Sequence, residues 1–325
     1  MKRRTLVVAV ASACAAFAVW APQAAAQAFP TKPVRVIVPY PAGGIVDLMA
    51  RSVTDALPGK LGQPVLVEAK PGASTAIGTE EVARADPDGH VLLMGTLATT
   101  VAPHLNKVRW SAPTDFVGVA HMGVVANIAV VAPTLGVKDM KGLIELAKAK
   151  PGQLNYMNPG NGSSPHVSTE LLLQNTGIKM VSVGYKGVPP SVPDLLSGAI
   201  HFGFYPYSTI VAQLKAGKVV GLAMSAPARD KQFPDIPTMA EQGFADSQVN
   251  SWYAFLAPRK TPAAVLERLN KAINEVLADP ATVARVEKIG GTVVAGWSVA
   301  QTDKMIAEDS ARWAKFTKAA GIEAK

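Results

Sequence analysis

The chain has 325 residues, of which 49% are hydrophobic and 17% charged, with a formal net charge of +8. That balance excludes a disordered chain, and the length favours two domains over a single core. The one long uncharged stretch lies at the extreme N-terminus, which excludes a multi-span membrane protein.

That stretch reads as an export signal. Lys2, Arg3 and Arg4 precede an uncharged, mostly apolar run at residues 5–20. Pro22 breaks the run, and Ala24, Ala26 and Ala28 supply small residues at cleavage spacing. The expected signal peptide is 1–28, cut after Ala26 or Ala28, and the expected destination is the periplasm. Arg3-Arg4 leaves twin-arginine export open, but Leu6 and Val7 fit that consensus loosely and favour the Sec route. Cutting leaves 29 Lys+Arg against 24 Asp+Glu, a net +5. The single cysteine, Cys14, leaves with the signal, so the mature chain has no thiol for a disulfide, a nucleophile or a metal. Its positive charge is spread without basic–aromatic runs, and no nucleic-acid partner is expected.

Strand and helix patterns then alternate. The β-branched run at 34–38 ends at Pro39-Tyr40-Pro41, and Val46, Met49, Val53 and Leu57 recur at helical spacing up to Pro58-Gly59. Strands follow at 65–67 and 91–94, with a helix at 77–85 between them. This βαβαβ order predicts a mostly parallel sheet with helices on both faces. The pattern restarts near Asn127, with strands at 128–131, 154–157, 180–183, 200–204 and 218–224. Helices are expected at 140–148, 166–175 and 192–196. A strand at 252–256 precedes a helix that Thr261 caps and Pro262 opens, with Leu266, Leu269, Ile273 and Leu277 on its apolar face. A last helix is expected at 298–317. The organisation predicted is two α/β units, 29–127 plus 251–325 and 128–250, joined by two crossings and enclosing a cleft.

Five loops carry candidate chemistry. In 39–47, Gly43-Gly44 lets the backbone turn into a helix start, so that several N–H groups point one way and meet the positive end of the dipole. Asp47 in the first helical turn suits that dipole by itself. Ala73, Ser74 and Thr75 sit in a second strand-to-helix loop, where capping is the plainer role. Residues 158–166 are dense in small donors, with Ser163, Ser164 and His166 just ahead of a helix. Tyr185-Lys186-Gly187 offers a lysine whose plainer role is structural. Tyr205 and Tyr207 follow a strand end and suit either a pocket wall or packing between units. No G-x-S-x-G elbow is present. His90, His104, His121, His166 and His201 show neither i, i+4 pairing nor H-E-x-x-H, so metal and nucleophilic chemistry are not expected.

Taken in order, PYPAGGIVDLMAR (39–51), KPGASTAIG (70–78), NPGNGSSPH (158–166), YKGVPPSVPDLLSG (185–198), KAGKVVGLAMSAPAR (215–229), FPDIPTMAEQGF (233–244) and SWYAFLAPRKTP (251–262) resemble the Bug proteins. These are extracytoplasmic solute receptors of tripartite tricarboxylate transporters. The resemblance implies an α/β, two-lobed periplasmic-binding-protein fold of the type with two crossovers. It also implies a small carboxylate ligand, no cofactor and no enzymatic activity. The ligand residues implied are Tyr40, Pro41, Ala42, Gly43, Gly44 and the Asp47 region in the first lobe, with Ala73, Ser74, Thr75 and Thr96 lining the same cleft. Ser163, Ser164 and His166 would come from the second lobe, with Tyr205 and Tyr207 at its wall. Relatives often carry an acid or amide where this chain has those tyrosines, which favours an aromatic or dicarboxylic ligand over an amino acid. The expected protein is monomeric and delivers its solute to the membrane permease. A co-receptor for a sensor kinase and an exported enzyme are the alternatives.

Overall fold

The computed structural model describes residues 29–319 except 227 and 248. The signal assigned to 1–28, including Cys14, lies outside the described residues. The first lobe opens with β1 (Val34–Val38), α1 (Ile45–Thr54), α2 (Pro58–Leu61) and β2 (Val65–Ala69). It continues through α3 (Ala76–Ala83), β3 (Val91–Thr96), α4 (Leu97–Leu105), α5 (Ala112–Asp115) and β4 (Phe116–Val125). Ala126 carries the chain across to β5 (Asn127–Val131), α6 (Met140–Ala149), β6 (Asn155–Asn158) and α7 (Ser164–Thr176). The second lobe is completed by β7 (Val181–Gly184), α8 (Val192–Ser197), β8 (Phe202–Pro206), α9 (Tyr207–Lys215) and β9 (Val220–Met224). The chain then returns through β10 (Ser251–Pro258), α10 (Ala263–Leu277), α11 (Pro280–Lys288), β11 (Gly291–Val293) and α12 (Val299–Ala319).

The strand orders are β11-β4-β10-β3-β1-β2 and β7-β6-β8-β5-β9. Each sheet is mixed, where the sequence pattern predicts a mostly parallel one. β1 pairs β2 and β3 in parallel, but β10 lies antiparallel between β3 and β4. In the second sheet β5 lies antiparallel between β8 and β9. The reversal has a geometric cause. β5 and β10 arrive from the other lobe, so each enters its sheet from the cleft end. Asn127 pairs with Pro206 and Tyr253 with Thr96, the last residues of parallel-direction strands.

Alternation along the strands divides each lobe's core. In the first sheet Val36, Val38, Tyr253 and Phe255 face Met49, Val53, Leu269 and Ile273 of α1 and α10. Ile37, Leu93, Trp252 and Leu256 face the opposite layer, where Ile306 and Trp313 of α12 pack. The α10 stripe is as predicted, with Leu266, Leu269, Ile273 and Leu277 all buried. Its cap is not. The helix starts at Ala263, and the Thr261 hydroxyl donates backward to the Pro258 carbonyl at 2.8 Å. Pro58, read as a helix stop, instead opens α2, which ends at Gly62 with φ +78°. A lone turn suits proline because its missing N–H would be unpaired there.

α12 is pinned by a buried acid. Asp309 accepts from Thr100 Oγ1 at 2.5 Å, Trp252 Nε1 at 3.1 Å, Trp313 Nε1 at 3.2 Å and Arg312 at 2.6 Å. These donors come from α4, β10 and α12 itself, so one carboxylate ties three elements. Asp309→Ala orphans two indole N–H groups, while the Thr100 hydroxyl keeps the Leu97 carbonyl at 2.9 Å, and is expected to lower the unfolding free energy by about 3 kcal/mol in urea melts. A second buried group sets a pH limit. His121 in β4 stacks on Trp297 at 4.8 Å, its Nδ1 has no partner among the described residues, and burial pushes its pKa down to about 4. The unfolded chain binds a proton near its ordinary value and the folded chain does not. Stability is therefore lost as pH falls from about 6.5 towards 4, by up to about 3 kcal/mol. Denaturant melts across that window are expected to show the slope in the wild type and a flatter line in His121→Phe.

Candidate functional site at the cleft

β1, β3, β6 and β8 all end at the cleft, and a helix follows each of them. A cavity of about 550 Å³, counted to its open mouth, lies between the lobes at this level. Four helix starts line it: Gly44, Ile45 and Val46 of α1, Thr96 and Leu97 of α4, Ser163, Ser164 and Pro165 of α7, and Pro206 before α9. Tyr40, Pro41, Pro159, Val188, Pro189 and Tyr253 form the walls. The lining holds no Asp, Glu, Lys, Arg or His. The starts of α1, α4 and α7 contribute N–H groups that the helix cannot pair and roughly half a positive charge each, whereas at α9 Pro206 has no N–H and the Tyr207 amide donates to the Ala126 carbonyl at 3.3 Å. The cavity is thus formally neutral yet biased toward a negative group.

The diglycine bend does not act as its sequence suggests. Gly43 turns with φ +75°, but its N–H donates to Asp47 Oδ2 at 3.0 Å. Gly44 N–H points to the Pro41 carbonyl at 3.3 Å. Asp47 is buried and also receives Arg51 Nε at 3.0 Å. The expectation that the glycine amides themselves lie free is therefore corrected. An acid one turn into the helix reaches back and ties down the bend. The donors left over are the Ile45 and Val46 amides of the first turn, which have no acceptor among the described residues. Both residues line the cavity.

The second lobe repeats the plan. α7 begins at Ser164, two residues ahead of the predicted start, because Pro165 is tolerated where the N–H has no partner anyway. The Ser163 hydroxyl is buried with no partner among the described residues. Ser164 Oγ receives Asn127 Nδ2 at 3.1 Å and makes a short bond with Ser251 Oγ, linking α7 to both crossing segments. His166 is outside the lining. Its Nδ1 accepts the Gly162 N–H at 3.3 Å, bracing the loop from beneath. Burial lowers its pKa, and Glu170 partly opposes that.

The tyrosines divide by role. Tyr40 Oη stands 3.5 Å from Thr96 Oγ1, and burial raises its pKa to about 12, so it is a neutral donor in the wall. Tyr253, which sequence reading placed only in a strand, lines the cavity with Ser251; both residues fall on one face by the period of two. Tyr205 is wholly buried in the second-lobe core, where Ser191 Oγ meets its hydroxyl at 3.4 Å. Tyr207 packs against Gly290 of the first lobe and edge-on to Phe233. Neither tyrosine reaches the cavity lining, and neither do Ala42, Gly43, Asp47 and Ala73.

A second cavity, about 390 Å³ counted to its open mouth, adjoins the first and shares Tyr40, Pro41, Pro159 and Gly187 with it. Ser74, Thr75, Tyr185 and Lys186 are among its other walls. Ala73, Ser74 and Thr75 hold φ of +46°, +52° and +80°, three successive non-glycine residues in the left-handed region. That conformation costs about 1–2 kcal/mol per residue. The lobes touch around both cavities: Asn161 Nδ2 donates to Asn106 Oδ1 at 3.3 Å, and a Cβ on Gly187 would sit 3.3 Å from Pro41.

Comparison with known proteins places this geometry among others. Residues 49–322 match the tripartite tricarboxylate transporter family receptor, TctC. The chain is 33% identical over 303 residues to protein BugT of Bordetella pertussis, covering 92% of this chain and 93% of BugT. Among solved structures, the periplasmic binding protein BugD is 30% identical with a TM-score of 0.85, covering 91% of this chain and all of BugD (100%). R. palustris Rpa4515 with adipate is 29% identical with a TM-score of 0.84, covering 91% of this chain and 100% of that one. MatC from Rhodopseudomonas palustris with bound malate is 28% identical with a TM-score of 0.83, covering 88% and 99%.

Proposed function

Because the chain belongs to the tripartite tricarboxylate transporter family receptors, we propose that it is a periplasmic solute receptor that captures a small carboxylate between its lobes and hands it to the membrane permease of such a transporter. The observation that carries this reading is the meeting of four helix starts around a cavity without charged side chains. A carboxylate leaving water needs hydrogen bonds to every lone pair it exposes. The Ile45 and Val46 amides, the Ser163 hydroxyl and the hydroxyls of Thr96 and Tyr40 supply them from fixed positions. Leu97, Val188 and Pro189 cover the carbon skeleton. Fixed dipoles reorganise little when the anion arrives, so a few such bonds plus apolar burial reach about −8 kcal/mol, a micromolar affinity.

The solute is bound and released without chemical change. Closure brings the Ser163–Ser164 start down on the Gly44–Val46 start, and a bound anion bridges the two. Ligand affinity thus differs between open and closed states, and that difference shifts the population. The closed pair of lobes is the surface that the permease reads. The relatives solved with adipate and with malate support a carboxylate ligand for this chain too.

The reading is tested by thermal shift and calorimetry with malate, succinate, adipate, benzoate and nicotinate, beside amino acids and sugars. Carboxylates at a hundredfold excess over Kd are expected to raise Tm by about 4 °C. A shift with sugars or zwitterions alone would overturn it. Ser163→Ala removes a buried hydroxyl with no partner among the described residues, so urea melts are expected to show no loss of stability. Calorimetry on the same variant is expected to show about tenfold weaker carboxylate binding, the worth of one hydrogen bond.

A further inference from the structure

Resting on the carboxylate-binding reading, we infer that Asn127 is a positioning residue for the site: it stands outside the cavity lining and acts on the bound anion through the serine pair Ser164–Ser251. Asn127 is the first residue of β5, directly after the Ala126 crossing, and is wholly buried. Its backbone is clamped by the segment that follows β9. Its N–H donates to Ser225 Oγ at 2.7 Å, and the Ser225 N–H donates to its carbonyl at 2.8 Å. Held in this way, its side-chain Nδ2 donates to Ser164 Oγ at 3.1 Å, with a longer reach of 3.5 Å to the Val249 carbonyl. Ser164 Oγ is bonded in turn to Ser251 Oγ, and both serines line the cavity. Ser164 starts α7 and Ser251 opens β10, so the pair sits at the pivot between the two crossings.

Counting hydrogens gives the pair its role. Two serine hydroxyls carry two hydrogens, and one is used between them. One O–H is left over, whichever way the pair is turned. Burial raises the pKa of Tyr253, and the Ser251 hydroxyl partly opposes that rise. Tyr253 also lines the cavity, so the spare hydrogen ends there whether a serine or the tyrosine carries it. An amide nitrogen only donates. Donation from Asn127 withdraws charge from the Ser164 oxygen and makes the hydrogens of the chain stronger donors. It also occupies the buried side of Ser164, which leaves the cavity side for the spare O–H. The other end of the amide shows that donation is what the residue is kept for. Asn127 Oδ1 is buried and accepts nothing among the described residues. An asparagine retained only for stability would have both ends met, because an unmet buried acceptor destabilises the fold.

The test is a double-variant cycle read by calorimetry. Its probe is whichever of malate, succinate, adipate, benzoate and nicotinate the wild type binds most tightly. Asn127→Leu keeps the volume and removes the donor, and is expected to weaken the probe about tenfold. Ser164→Ala removes the hydroxyl through which the amide acts and is expected to weaken it by a similar factor. The combined variant should bind no more weakly than Ser164→Ala alone, since the amide then has nothing to polarise. A merely structural Asn127 would instead give the same loss in both backgrounds, and that additive result would overturn the inference. So would an Asn127→Leu protein that binds the probe as the wild type does. Ser251→Ala tests the pair without touching the first crossing, whether or not Asn127→Leu folds. A tenfold loss is expected there, and wild-type affinity would overturn the role of the pair. Each of these failures leaves the wild type binding the acid, and the carboxylate reading stands. Wild-type protein that binds none of the five acids would overturn both.

Discussion

The first turn of a helix carries N–H groups that the helix itself cannot pair, and the topology brings three such turns, those of α1, α4 and α7, to one place beside the start of α9. Everything else in the cleft follows from that constraint. Strands of both sheets end there because the crossing segments enter from the cleft side. Asn127 must then lie beside Pro206, and Tyr253 beside Thr96. Those registers set where α4 and α9 begin. The loops after β1 and β6 set the other two starts. An unpaired donor is tolerable only if it meets water or a ligand.

The charged side chains reinforce this by being used elsewhere. Asp47 holds the Gly43 amide and Arg51. Glu68 and Glu81 hold Arg35 and Lys70, and the Arg35 guanidinium keeps the Glu68 carboxyl below its usual range. Asp194 holds the Tyr185 hydroxyl. The result is a first cavity polarised by backbone alone. The diglycine bend belongs to this scaffold: it shapes the turn, and its own amides are consumed in holding it.

Much of the fold was legible in the sequence because burial on both faces writes itself as apolar runs, and one buried stripe writes itself as a 3-4-4 rhythm. The strand at 34–38 and the α10 face are of that kind. β4 escaped such reading. It is almost wholly buried, yet it contains His121 and two glycines that break its pattern. Gly118 is needed because a Cβ there would lie 2.7 Å from the Asp303 backbone of α12. That requirement comes from a helix 185 residues away in the chain, and no local window contains it. At the cleft, Tyr40, Pro41, Gly44, Ser163 and Ser164 were legible as strand-to-helix loops and Thr96 through the family resemblance, and all six line the first cavity. Ser251 and Tyr253 were not, since they sit in a strand and gain their place only through its crossing.

By itself the sequence determined the two α/β units, most of their strands and longer helices, and the loops rich in small donors, because propensity, capping and hydrophobic period act over a few residues. Tertiary structure alone decided which donors stay unpaired. Whether Gly43 or Ile45 offers its N–H depends on where Asp47 folds back. Whether Tyr205 and Tyr207 wall a pocket or fill a core depends on what packs against them. Hydrogen bonds and side-chain packing are settled between groups distant in sequence, so the chemistry of the cleft appears only when the lobes are assembled.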